Sequence, residues 1–296
     1  MGIVLGPNQY GKAEVRVVAV DRSGERHAIK DLTVSSALRG DFTAAHLSGD
    51  NAHVLATDTQ KNTVFAFARD RIGEIEEFGL RLARHFATAY PWITGARVEI
   101  AEHGWDRIPV GGRPHEHAFS RSGGEVRTAV VTAEAGREYV LSGLSGLVLL
   151  KTTGSGFSGF PRDRYTTLAE TDDRILATAV TARWRHSTAE SNWAAGFAGV
   201  RGTLMETFAA LPSAALQQTL YAMGEAVLAR HPELAEVRLS LPNRHHFLQD
   251  LGPFGLDNPK VVYHADDRPY GLIEGTVQRD DAAPAGAAWE GTPGFC

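Results

Sequence analysis

The order strand, strand, helix, helix, strand, strand runs twice along these 296 residues, and such a repeat restricts the chain to folds built from two similar layered units in tandem. In the first copy, Val15 to Val20 and Ala28 to Leu38 mix branched with alternating polar residues around Asp21, Ser23 and Gly24, the pattern of a β-hairpin. Gly40 to Asp50 is expected to be a loop or short helix. Glu74 to Tyr90 sets Ile75, Phe78, Leu82 and Phe86 at helical spacing, and Pro91 stops it. Arg97 to Ile100 and Val126 to Val131 form a second strand pair, joined through a Gly-rich loop around Gly111 and Gly112. The second copy has strands at Tyr139 to Lys151 and Arg174 to Trp184, helices at Trp193 to Ala210 and Ala214 to His231, then strands at Val237 to Phe247 and Gly271 to Val277. Leu55-Ala56-Thr57 and Leu176-Ala177-Thr178 echo one another across the copies.

A chain of this length exceeds the usual single core, so two domains are expected. A net charge of −5 offers no basic surplus for a polyphosphate backbone, which sets nucleic acid aside as a partner. The one cysteine, Cys296, allows no intrachain disulfide and no thiolate cluster, in keeping with a reducing cytosol. No apolar run approaches the roughly 20 residues of a membrane helix, and the start lacks a secretory signal, so a cytoplasmic protein with no membrane partner is expected. From Asp280 onward the chain is rich in Ala, Pro and Gly and reads as a surface arm that orders against a neighbouring subunit.

The strand-like run from Leu147 is followed by Lys151, Ser155, Phe157, Phe160, Tyr165, Leu168 and Arg174. Three further segments accompany this string in chain order: Asn8-Gln9-Tyr10-Gly11-Lys12, Ala56-Thr57-Asp58-Thr59-Gln60-Lys61-Asn62-Thr63 and Ser240-Leu241-Pro242-Asn243-Arg244-His245. Together they resemble the urate oxidase (uricase) family over nearly the whole chain. The resemblance implies an α+β fold of tandem T-fold (tunnelling-fold) modules, residues 1–136 and 137–296, the second carrying the C-terminal arm. Each module is then an antiparallel sheet with helices on one face. It also implies a barrel-like homotetramer with active sites at subunit interfaces. Pairing sheet edges between chains would remove the liability of exposed edge strands. The Gly294-Phe295-Cys296 end differs from the peroxisomal Ser-Lys-Leu address usual in eukaryotic relatives.

The activity implied is oxidation of urate by O2 and water to 5-hydroxyisourate and hydrogen peroxide, with no metal and no organic cofactor. Urate is a flat anion, so its pocket needs an aromatic plane, fixed donors and acceptors and positive potential. By resemblance Phe157 is the stacking ring, Arg174 grips the ring edge with its planar fork, and Gln217 with the backbone N–H of Leu216 completes that edge. Thr57 as N-cap and Asp58 in the first turn offer outward N–H groups, although Thr63 to Phe67 has strand propensity. The resemblance brings these two from the facing subunit. It assigns Lys12, Thr57 and His245 to a proton relay, and Asn243 with Thr57 to holding oxygen or the attacking water. A lysine serves as base only where burial or nearby charge lowers its pKa.

Singly, each residue has a blander reading: Lys12 as a solvated strand lysine, Phe157 as core, Arg174 as an ion-pair partner, His245 beside His246 as a satisfied histidine. Their joint occurrence in order carries the reading. Gly154-Ser155-Gly156-Phe157-Ser158-Gly159 fits a dinucleotide-binding pattern, but Lys151-Thr152-Thr153 intervene and Pro161 follows, so no long helix is expected there. His115-Glu116-His117 puts two imidazoles on one strand face without a third ligand. An inactive T-fold purine binder is the alternative function; the presence of Lys12, Thr57, Asn243 and His245 favours the enzyme. Arg244 and Leu216 stand where the family commonly has lysine and valine.

Overall fold

The computed structural model describes residues 2–292; Met1 and residues 293–296, including Cys296 and the Gly294-Phe295-Cys296 end, lie outside the described residues. Contacts divide the chain into two compact units. Unit 1 is built from residues 2–144, Arg185–Ala195 and Ala283–Gly291, and unit 2 from Ser145–Trp184 and Gly196–Ala282.

Unit 1 opens with the expected hairpin, β1 (Tyr10–Asp21) and β2 (Ala28–Gly40), paired antiparallel with Val15 opposite Val34 and Val17 opposite Leu32. The Asp21 carboxylate accepts from the Ser23 N–H at 2.8 Å and shapes the turn. After α1 (Thr43–Ser48), α2 (Thr57–Asp70) and α3 (Ile75–Ala89) come β3 (Ile93–Glu102), β6 (Val126–Glu134) and the first part of β7 (Arg137–Lys151). The strand order is β1-β2-β3-β6-β7, antiparallel from β1 through β6. Alternate residues Leu32, Val34 and Leu38 of β2 are buried, and the α3 ridge Ile75, Phe78, Leu82 and Phe86 packs into the same core with Val98, Ile100, Ala129 and Val131. Each of the larger side chains here, Val, Leu, Ile or Phe, contributes about 1.5–3 kcal/mol on burial.

The structure departs from the sequence expectations at the Gly-rich connection and in α2. The Gly-rich connection before β6 is a second hairpin, β4 (Trp105–Val110) with β5 (Arg113–Arg121). Gly111 and Gly112 both have positive φ, which lets two residues close that turn where the prolines on either side obscure the strand pattern. Thr57 is the first helical residue of α2 rather than its N-cap, which is Ala56, and Thr63 to Phe67 lies inside the helix because Val64 is buried on it. The C-terminal segment packs on its own unit: Ala288 is buried with Val130 and Leu141, and Glu290 takes a 2.6 Å hydrogen bond from Arg39.

In unit 2 the second part of β7 is followed by β8 (Leu176–His186), α4 (Trp193–Ala210), α5 (Leu216–Arg230), β9 (Leu234–Pro242), β10 (His245–Leu248), β11 (Tyr263–Asp266) and β12 (Leu272–Gln278). The sheet order is β7-β8-β9-β12, with β12 antiparallel to β9. Leu216, Leu220, Met223 and Val227 form the buried stripe of α5. The strand expected over Val237 to Phe247 breaks after Pro242, and β10 leaves to pair with β11, an element absent from the sequence reading. The doubled order of six elements is present, but the Leu-Ala-Thr echo is not a structural repeat: Leu55 to Thr57 leads into a helix and Leu176 to Thr178 opens a strand. Among the described residues no helix is long and apolar enough to cross a membrane.

Candidate active site

Lys12, Thr57 and Asp58 belong to unit 1. Lys12 sits on β1 opposite Ser36, just before an irregularity in which Glu14 takes positive φ and its N–H reaches Ser35 Oγ at 2.9 Å. The strands approach so closely beside it that a Cβ on Gly11 would stand 1.7 Å from the Ser36 carbonyl oxygen, so only glycine fits. The chain entering α2 is anchored to these strands. Ser36 Oγ donates to Gln60 Oε1 at 2.8 Å, while Gln60 Nε2 and the Tyr10 hydroxyl donate to the Leu55 carbonyl at 3.3 and 3.1 Å. Burial pushes the Tyr10 phenol up, against the lowering effect of the Leu55 bond, so it remains a neutral donor.

That anchoring presents the first turn of α2, which has no side-chain cap, so the N–H groups of Thr57, Asp58 and Thr59 have no acceptor within the helix. Asp58 accepts from Lys61 and from Asn62 Nδ2, the latter at 3.0 Å. The Lys61 hydrogen bond and charge hold its carboxyl below the usual range, and the Lys12 ammonium adds to this, so Lys12 stands within electrostatic reach of the α2 start.

Phe157, Arg174, Leu216, Gln217, Asn243 and His245 belong to unit 2. After β7 the chain bends through Thr152 to Gly154, where Gly154 takes positive φ, and then forms isolated bridges at Ser155 and Phe157. It is tied by Ser213 N–H to Gly154 O (2.9 Å), Gly156 N–H to Ser213 O (2.8 Å), Phe157 N–H to Thr171 O (2.7 Å) and Arg174 N–H to Ser155 O (2.7 Å). These bonds set the Arg174 guanidinium 5.2 Å above the Phe157 ring centre. Burial lowers the Arg174 pKa, and its Nε is buried without a partner among the described residues. A buried guanidinium donor left open in this way suits a planar acceptor edge. Ser213 leads into α5, whose first residues are Leu216, buried, and Gln217, exposed; this helix also lacks a side-chain cap.

Asn243 closes an antiparallel bridge with Thr178, and its N–H donates to Gly271 O at 2.8 Å. His245 begins β10, its ring stacked on Phe247 at 5.5 Å, beside a cleft of about 340 Å³ lined also by Arg244, His246, His264 and Asp266. The glycine-rich stretch is followed by no helix, since Phe157 bridges back to Thr171, which removes the dinucleotide reading. His115 and His117 pack edge to face at 4.5 Å; among the described residues no three His, Cys, Asp or Glu side chains are disposed to hold a metal ion.

A family model described as Uricase matches residues 8–132 and 140–274. The chain is 57% identical over 294 residues to uricase from Arthrobacter globiformis, covering 99% of this chain and 96% of that one. The chain belongs to the uricase family.

Uricase from Dictyostelium discoideum is 39% identical over 277 residues, covering 92% and 96% of the two chains. The crystal structure of the Arthrobacter globiformis uricase superposes with a TM-score of 0.94 over 98% of this chain and 99% of that chain. Urate oxidase from Bacillus sp. TB-90, at 25% identity, superposes with 0.81 over 92% and 100%. The antiparallel sheets and helices of the two units are the tandem T-fold of the uricase family. Both corners described above fall inside the matched ranges. Tyr10, Ser36, Gln60 and Ser213 position these corners, yet sequence reading gave none of them a role. Gln60 is polar within a helix and wholly buried, and only its hidden partners reveal its use.

Proposed function

We propose that this uricase-family chain oxidises urate with O2 and water to 5-hydroxyisourate and hydrogen peroxide, using its own side chains and neither metal nor organic cofactor. The observation that carries the reading is the Arg174 guanidinium poised over Phe157 with an open, buried Nε. A flat purine anion stacks on Phe157 while Arg174, Gln217 and the Leu216 N–H hold its edge. Thr57 and Asp58 close the pocket from a facing subunit. Lys12, Thr57 and His245 move the protons, and Asn243 with Thr57 holds O2 or the water that attacks next. Removing a second proton from urate leaves a ring rich enough in electrons to reduce O2 directly. The oxidised ring then adds water, and both oxygen atoms of O2 leave as peroxide.

A homotetramer closed into a barrel is part of this reading. Its support is that β1 and β12 are the outermost strands of their units, and that Val18 and Val20 on β1 are exposed. The reading also takes the chain as two modules, 1–136 and 137–296, for which the separate family-model ranges 8–132 and 140–274 are the support. Residence in the cytoplasm is supported by a single cysteine in the chain.

The deciding experiment mixes metal-stripped protein with urate in air and follows loss of urate absorbance together with peroxide. Urate consumed with equal peroxide supports the reading. Binding without turnover would make the chain an inactive purine binder, and a demand for added metal or nicotinamide would overturn the cofactor-free scheme.

A further inference from the structure

Lys151, the last residue of β7, carries no counter-ion: among the described residues no acid stands within ion-pair distance of its ammonium. All three of its N–H donors are nonetheless engaged, with Leu211 O at 2.5 Å, Ser213 Oγ at 3.0 Å and Phe208 O at 3.5 Å, and the charge lies 5.4 Å from the Phe208 ring centre. Two of those acceptors are carbonyls at the C-terminal end of α4, where a positive charge meets the negative end of the helix dipole. The third, Ser213, is a junction. Its hydroxyl also meets Thr219 Oγ1 in the first turns of α5, and its main chain bonds to both Gly154 and Gly156.

We infer that Lys151 is a positioning residue, whose ammonium fastens the end of α4 to Ser213 and so holds the Phe157 loop and the start of α5 in register for the purine edge. This deepens the urate-oxidising reading and rests on it. Desolvation lowers the pKa of Lys151, the expected cost of seating a charged group whose partners are dipoles. The seat nevertheless requires the charged form, because a neutral amine would leave one of the three acceptors unserved. Among the described residues the Lys151 ammonium makes no hydrogen bond or ring contact with Phe157 or Gln217. Its influence passes through Ser213, so its loss should loosen grip on the ring and spare proton transfer.

The test is Lys151→Met beside Ser213→Ala, with urate KM, kcat and the Kd of the inert analogue 8-azaxanthine measured on folded protein. Loss of a hydrogen bond to a charged group predicts that KM and Kd rise together by roughly tenfold. On the same basis kcat should stay within about threefold of the parent. Ser213→Ala should move KM and Kd the same way, and the double variant should exceed Lys151→Met little, because both act through one junction. A lower melting temperature with unchanged KM and Kd would mark a purely structural lysine and overturn the inference. So would a collapse of kcat at constant KM, which would make the amine a chemical participant. Should Lys151→Met not fold, Ser213→Ala decides by the same readings. Failure of the parent protein to oxidise urate would sink the functional reading; parent turnover with unaltered binding in both variants would sink this inference alone.

Discussion

Ser36 on β2 donates its hydroxyl to the side-chain oxygen of Gln60 on α2 at 2.8 Å, and both side chains are buried. Among the described residues this is the only side-chain hydrogen bond that joins the strand facing Lys12 directly to the helix that begins at Thr57. Gln60→Leu would keep the volume but leave the Ser36 hydroxyl buried and unpaired, a cost of about 1–3 kcal/mol. Chemical denaturation should show that loss. Turnover should fall more than urate KM rises, since the disturbed corner carries Lys12 and Thr57 rather than the stacking ring. A variant as stable and as active as the parent would remove Gln60 from the positioning of that corner.

Lys12→Met or Thr57→Ala should lower kcat by roughly 10² to 10⁴, the range for a lost proton-transfer group. Affinity for 8-azaxanthine, which undergoes no chemistry, should survive either change. Steady-state kinetics and a titration read the two effects separately. Parent-like turnover in Lys12→Met would show that the relay does not run through this lysine.

Arg174 and Phe157 should report binding instead. Arg174→Lys keeps the charge but loses the planar fork, and a hydrogen bond to a charged group is worth about 1.5–3 kcal/mol, so 8-azaxanthine should bind roughly 10- to 100-fold more weakly. Phe157→Ala should cost about 1–3 kcal/mol through lost stacking. Calorimetry on both variants measures these directly. Unchanged affinity in Arg174→Lys would take the guanidinium out of the pocket.

How much of this was legible in the sequence depended on whether a residue's partners lie near it in the chain. The α3 stripe of Ile75, Phe78, Leu82 and Phe86 was plain because helical periodicity is local, and all four are buried. The β4-β5 hairpin was hidden because Pro109 and Pro114 break the strand pattern and only the paired positive φ of Gly111 and Gly112 closes the turn. Within the candidate site, Phe157 and Arg174 could be named from spacing along one motif, and they do meet in space. Ser213 could not, because its importance comes from bonds to residues 57 to 62 positions away along the chain. Thr57 was misplaced by one helical position, since a threonine before a helix favours the N-cap and nothing local shows that Ala56 takes that place uncapped.

Glu76 on α3 is wholly buried; it accepts from Ser142 Oγ at 2.6 Å and from Arg127 Nη2 at 2.8 Å, and the Ser142 hydroxyl also meets His186 Nε2 at 2.9 Å. Glu74, the N-cap residue just before this helix, also pairs with Arg127, at 2.7 Å. Desolvation dominates and raises the Glu76 pKa, with Arg127 and Ser142 opposing it. Because the folded value lies above the unfolded one, the native state holds this proton more tightly. Glu76 therefore contributes stability below the ordinary glutamate range and loses it as pH rises through the raised folded pKa, at no more than about 1.4 kcal/mol per pH unit. Glu76→Gln removes the titration while keeping an amide of the same shape. Guanidinium unfolding of parent and variant across mildly acidic pH should then show the parent's stability, relative to the variant's, declining with rising pH and levelling once Glu76 is ionised in both states. A difference that instead grows with pH would mean that attraction to Arg127 outweighs the cost of burying the carboxylate.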